Sequence, residues 1–136
     1  MNFFLAKTDP QTYSLADLQR DKSTLWDGVK NAQAVQAIAA MRPGDKVFIY
    51  HSQGESAIVG LAKVESAPIA DPNNPKSKVV QLRFIQTLDP PVTLHEVKES
   101  GRFKDFLLVR NSRLSTMACP EDFVDWLRKR YPKAKF

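Results

Sequence analysis

The sequence predicts an α+β fold, a small curved sheet or β-barrel with short helices packed outside it. Three observations predict this. "KVFIYHS" (46–52) and "AIVGLAKVES" (57–66) are rich in β-branched and aromatic residues and are joined by the turn-forming "QGES", the pattern of a hairpin. "VVQLRFIQTL" (79–88) alternates in part and supplies a third long strand. The helical segments are short, and strands and helices alternate too irregularly for a doubly wound parallel sheet.

Each element has a local reason. "NFFLAKT" (2–8) is an apolar strand that turns polar at Lys7, and Pro10 ends it. "YSLADLQR" opens a short helix, with Ser14 and Asp17 at the spacing of a capping box. "STLWDG" reads as loop. Asn31 is a good N-cap for a helix over 32–42, where Val35, Ile38 and Met41 recur at helical spacing. "RPGD" (42–45) stops that helix. "PIADPNNPKSK", with three prolines and two asparagines, reads as loop. Thr93 and Glu96 form a second capping-box pair, and "FKDFLLVRNSRLS" mixes a helical turn with an extended segment. "CPEDFVDWLRKRY" closes as a helix with Pro120 in its first turn, Glu121 and Asp122 at its positive end, and Phe123, Trp126, Leu127 and Tyr131 on one face.

A length of 136 residues suits one domain spanning 1–136, and 43% hydrophobic with 26% charged residues fits a globular chain. No apolar run approaches the ~20 residues of a membrane helix. "MNFFLAKTDP" lacks the basic flank and apolar length of a secretory signal. Cys119 is the lone cysteine, which excludes an internal disulfide and leads us to expect a cytoplasmic protein with no membrane contact. Twenty Lys and Arg against fifteen Asp and Glu give a net charge of +5, which fits a polyanionic partner. Arg128, Lys129, Arg130, Lys133 and Lys135 are five of the last nine residues, at the end of the last helix, where cations also complement the carbonyl pole of the dipole.

Several chemistries lack their residues. Gly28, Gly44, Gly54, Gly60 and Gly101 are isolated, so no phosphate-cradling loop or cofactor motif is present. His51, His95 and Cys119 lack ligand spacing, and no metal is expected. The zinc-deaminase signature is missing. His51 and Ser52 are adjacent in a strand and should point to opposite faces, which makes them a poor nucleophile–base pair. Cys119 before Pro120 is either a dipole-activated thiol or a small residue at a cap.

One residue resists a core reading. Trp26 lies among Asp27, Gly28 and Asn31, in a polar approach to a helix start rather than in an apolar run. It is either a stacking platform for a ligand or a lid over the core. "WDGVKNAQA" resembles the W-x-G-V-R-N-x-Q-A signature of the EVE domain family, within the PUA-like group. "FFLAKTDPQTYSLADL" is similar to the family's opening strand with its K-[ST]-[DE]-P turn and Y-S-x-x-D-L. "MRPGDKVFIYHS" is similar to its M-x-x-G-D-x-x-x-F-Y-H-S block, and "IVGLAKV", "DPPVTLHEVK" and "LLVRNSRLS" to later segments. The resemblance covers nearly the whole chain in order. Lys30 stands where the family usually has Arg, Ala32 where a bulkier residue is common, and Val35 where Arg is frequent. Lys30 keeps the charge but loses the bidentate fork.

The resemblance implies a PUA-like barrel with a pocket for a flipped, modified base. The layout is also similar to the YTH domain, a reader of N6-methyladenine in RNA. Family members are associated with modified cytosines in DNA, which points to a non-enzymatic reader of a modified base in DNA or RNA, helped by a partner protein supplying further contacts. Alternatives are a hydrolase like some ASCH relatives, which cleave acylated cytidine, and a sensor of a free metabolite. Trp26, Val29, Lys30 and Asn31 then become ligand-binding candidates. Tyr50, His51 and Ser52 end a strand, with Tyr50 and Ser52 expected on one face and His51 on the other. Lys7 and Thr8 border the same mouth, and Arg110, Ser112 and Arg113 suit phosphate or pocket-edge contacts. Asn31 cannot cap and read a base edge with one oxygen, so capping leaves only its NH₂ for a ligand.

Overall fold

In chain order the elements of the computed structural model are β1 (Phe3–Thr8), α1 (Leu15–Asp21), β2 (Ser23–Trp26), α2 (Ala32–Ala40), β3 (Lys46–His51), β4 (Ala57–Val64), β5 (Ile69–Asp71), β6 (Asn74–Thr93), α3 (Leu94–Glu99), α4 (Leu107–Arg110), β7 (Thr116–Ala118) and α5 (Glu121–Arg130). The structure describes every residue except Gly28 and Lys30.

The helix starts form where the side chains satisfy free N–H groups. Ser14 Oγ accepts from the Asp17 N–H at 3.1 Å while the Asp17 carboxylate accepts from the Ser14 N–H at 2.9 Å. Thr93 and Glu96 repeat the exchange at α3. Asn31 Oδ1 accepts from Gln33 and Ala34 at 2.8 and 3.2 Å and starts α2. That helix ends at Ala40, short of the expected 42. Pro43 disfavours helical geometry at Arg42, whose N–H turns to Asp45 Oδ2 at 2.9 Å. Pro120 sits at the N-cap of α5, just outside the first turn expected for it.

The described residues form a seven-stranded sheet in the order β2-β6-β4-β3-β1-β7, with β5 added to β6. β1 and β3 run parallel, Phe3 opposite Lys46 and Thr8 opposite His51, and the other pairs are antiparallel. Because β1 is covered on both faces, Phe3, Phe4, Leu5 and Ala6 are all buried, which is why the strand reads as a continuous apolar run. The sheet curls into a half-barrel. α2 packs on β6 and on β7, and its buried Ala34 and Ile38, with Met41 at its C-cap, belong to the core cluster. α5 adds Phe123, Val124 and Leu127 to the same core. No helix among the described residues is long and apolar enough to cross a membrane.

Two local expectations need correction. "STLWDG" is not all loop: Ser23 to Trp26 pair with Arg83 to Val80 as an edge strand. "PIADPNNPKSK" is not loop either. It forms a hairpin in which Asp71 Oδ1 accepts from the Asn73 N–H at 2.8 Å, and the 20-residue β6 starts within it at Asn74. The β3–β4 register shifts at the end of β3: Ile49 lies opposite Gly60 and Tyr50 opposite Ile58, so the extra residue, Val59, is in β4.

Candidate functional site

The polar end of β1, the turn after it, β2 and the approach to α2 enclose a cavity of about 600 Å³. Lys7, Thr8, Asp9, Thr12 and Tyr13 line it from β1 and the turn after it, Thr24 to Asp27 with Val29 and Asn31 from β2 and the approach to α2, and Arg113 and Ser115 from the segment between α4 and β7. The size lies within the ~300–1,000 Å³ usual for small-molecule sites.

Sequence and topology explain how these groups meet. Lys7 is held on the sheet by its N–H, which donates to the Ser115 carbonyl at 2.8 Å. After β1, Asp9 builds a turn: its carbonyl accepts from the Thr12 and Tyr13 N–H groups, and its Oδ1 accepts from the Gln11 N–H at 2.9 Å. Thr8 Oγ1 donates to the Tyr13 carbonyl at 2.6 Å and fastens that turn back onto β1. On the opposite wall, β2 carries Trp26, which is 9% exposed and belongs to the core cluster while also facing the cavity. The segment beyond it is tied to β6 by Ser77, a fully buried hydroxyl that donates to the Val29 carbonyl.

Lys7 is the unusual electrostatic feature. Its ammonium donates to the Ser112 carbonyl at 3.1 Å and lies 5.5 Å from the centre of the Tyr50 ring, its cross-strand neighbour. Burial pulls its pKa below the ordinary lysine value, and no carboxylate among the described residues offsets that. Asn31 spends its Oδ1 on capping, leaving its NH₂ as a donor.

Six of the expected site residues therefore come together: Lys7, Thr8, Trp26, Val29, Asn31 and Arg113. Lys30 lies outside the described residues. Tyr50, His51, Ser52, Arg110 and Ser112 do not line the cavity. Tyr50 is buried behind Lys7. His51 Nε2 instead accepts from the Leu15 N–H at 3.0 Å, supporting the start of α1, and burial holds its pKa below the ordinary histidine value. Ser52 bonds back to the Thr8 carbonyl through both its N–H and its Oγ. Arg110 ends α4, and Ser112 contributes its backbone carbonyl to Lys7. Burial also pushes the Cys119 thiol up, the opposite of an activated nucleophile. Asp9, Thr12, Tyr13, Thr24, Leu25, Asp27 and Ser115 join the lining without a sequence expectation behind them. The "TDP" turn at the end of β1 is the available signal for the first three.

Comparison with known proteins gives one family. The model of the EVE domain matches residues 2–130. Human thymocyte nuclear protein 1 is 29% identical over 91% of this chain and 71% of its own length. Among solved structures, a protein from Rhodopseudomonas palustris is 29% identical, covers 100% of this chain and 97% of its own, and superposes with a TM-score of 0.90. Human THYN1, solved in complex with 5-methylcytosine-containing DNA, is 24% identical with a TM-score of 0.88, over 98% of this chain and 99% of its own. At that identity the last likeness establishes a shared fold.

Proposed function

Because this chain belongs to the EVE domain family, we propose that it is a non-enzymatic reader that takes a modified base of nucleic acid into the cavity beside Trp26. The observation that carries the reading is that Trp26, Lys7, Thr8, Tyr13 and Asn31 all line one cavity. A flat aromatic face accepts any base, and stacking is worth ~1–3 kcal/mol by truncation. The polar groups supply orientation. The net charge of +5 favours a polyanionic partner, and Arg113, an exposed residue of the lining, suits a phosphate. The 5-methylcytosine-containing DNA bound by human THYN1 makes the modified-cytosine class the first to test.

Magnitudes shape the expected affinity. A methyl group buried in an apolar pocket adds ~0.8 kcal/mol. Extruding a paired base costs a few kcal/mol. The isolated domain should therefore prefer single-stranded or loosely paired sites, and a partner protein supplying more contacts would raise its affinity. The test is a binding screen over oligonucleotides that differ only in one modified base, run beside mass spectrometry of the incubated nucleosides. Binding that tracks the modification, with the nucleosides recovered intact, is the expected result. Turnover that disappears in Lys7→Ala replaces the reader with a hydrolase.

A further inference from the structure

Three like charges stand in a row across the sheet, and none of them lines the cavity. Strand pairing sets Lys46 of β3 opposite Lys63 of β4, and Lys63 opposite Arg83 of β6. Residues directly opposite one another leave the sheet on the same face, on strands ~5 Å apart, and like charges so placed destabilise it. Little in the fold offsets them. Among the described residues, the only ion pair that reaches the row joins Arg83 to Glu65 at 3.5 Å. The Lys46 ammonium donates to the Lys135 carbonyl at 2.8 Å; burial lowers its pKa, and the charge of Lys63 lowers it further. Lysines in strands commonly guard a free sheet edge against pairing. That role is closed to these three, because each has a strand paired on both sides. Lys63 is the one exposed residue of β4, an otherwise apolar strand.

We propose that Lys46, Lys63 and Arg83 form a track for the phosphodiester backbone of the nucleic acid, separate from the cavity that takes the base. This rests on the reader function proposed for the cavity and names the surface that holds the rest of the strand. Cations on successive strands make a line, which matches a polymer that carries a charge on every unit. β2 connects the two sites: the row ends at Arg83 opposite Ser23, and the next three residues, Thr24 to Trp26, line the cavity. Contacts to phosphate carry no sequence information, so the row adds affinity whatever the base.

Lys63→Gln removes the middle charge and should have two effects of opposite sign. Relief of repulsion should make the variant more stable than wild type in urea unfolding at low salt, an advantage that salt removes. The same variant should bind a short DNA single strand carrying one 5-methylcytosine more weakly. Its plot of log affinity against log salt should be shallower by about 0.7, so that the gap to wild type narrows about 2.6-fold for each fourfold rise in salt. 5-Methyl-2′-deoxycytidine monophosphate, a base with a single phosphate, should bind both proteins equally. Lys104→Gln, the same charge change in a turn outside the sheet, should keep the wild-type slope. An unchanged slope in Lys63→Gln, the same slope change in Lys104→Gln, or a destabilised Lys63→Gln overturns the track and leaves the cavity reading standing. So does an equal loss for the strand and the monophosphate, which would route the effect through the cavity. Poly-glutamate that displaces the strand as readily as DNA of equal charge replaces the nucleic acid on this row with an acidic protein. Failure of the wild type to bind the strand overturns the reader function, and the track with it.

Discussion

The two tryptophans sit in opposite kinds of surroundings, and not in the way their neighbours in sequence suggest. Trp126 lies on an amphipathic helix among Phe123 and Leu127, the setting of a core residue, yet it is only half-buried. Its ring meets Phe103 edge-on at 5.4 Å and Phe123 at 6.0 Å, with the Arg130 guanidinium 5.5 Å away, so it closes the rim of an aromatic cluster. Trp26 has polar neighbours in sequence and is the more deeply buried. It is reached by pairing with Val80, more than fifty residues away, and by the cavity in front of it. A helix reports its buried face through local periodicity, whereas a short edge strand takes its environment from a partner far along the chain. The same indole belongs to the core cluster and lines the cavity.

The largest expected effect comes from Trp26→Ala. Emptying a buried aromatic site typically costs ~3–5 kcal/mol, and base binding should fall as well. Urea unfolding and oligonucleotide titration of the same samples measure the two losses, and Trp26→Phe should restore most of the stability and part of the binding. Trp126→Ala should cost less, ~1–2 kcal/mol, because it gives up rim contacts between aromatic rings, and it should leave binding unchanged. If Trp126→Ala is the more destabilising of the two, the contrast drawn from their burial is wrong.

The same division governs how much can be read from sequence. The helix starts at Ser14, Asn31 and Thr93 are legible because a cap is settled within three or four residues. The 46–66 hairpin is legible for a similar reason. Ser23 to Trp26 are not, since four residues carry no usable alternation and their partners lie at 80–83. The hairpin over 69–78 is hidden by Pro68, Pro72 and Pro75, which read as breakers but are tolerated here at the turn and the strand start. In the site, Trp26, Asn31 and Lys7 stand out by motif and position. Ser115 reaches the cavity because β1 pairs with β7, and Thr24 because β2 pairs with β6, pairings that no short segment encodes.

Ser77→Ala tests what holds the cavity wall in place. The hydroxyl is buried and donates to the Val29 carbonyl, linking β6 to the segment between Trp26 and α2. Its removal leaves a carbonyl without its partner, a loss of ~1–3 kcal/mol. Binding should weaken even in the fully folded population, since Val29 lines the cavity. Ser77→Thr, which keeps the hydroxyl, should retain more of both. Equal binding by folded Ser77→Ala and wild type would mean that this wall needs no tether.

The smallest effect is expected at His51, which does not line the cavity and supports the start of α1. Its Nε2 accepts from the Leu15 N–H at 3.0 Å, which requires the neutral ring with the proton on Nδ1. Burial lowers its pKa in the folded protein from the ordinary 6.5. Linkage sets the sign: below pH 6.5 the unfolded chain binds a proton that the folded chain resists, so the unfolded state gains. Stability from this residue is complete above about pH 6.5 and is lost as pH falls through the lower folded value. Replacing the acceptor should cost on the order of 0.5–1 kcal/mol near neutrality, the scale of one hydrogen bond at a helix start. Urea unfolding of wild type and His51→Ala at several values between pH 7.5 and 5 isolates the effect, because other groups contribute equally to both. The stability gap between the two proteins should be widest at the neutral end and should shrink with acidification. A gap that stays constant, or widens towards pH 5, would show that the ring does not act as the neutral acceptor at the start of α1.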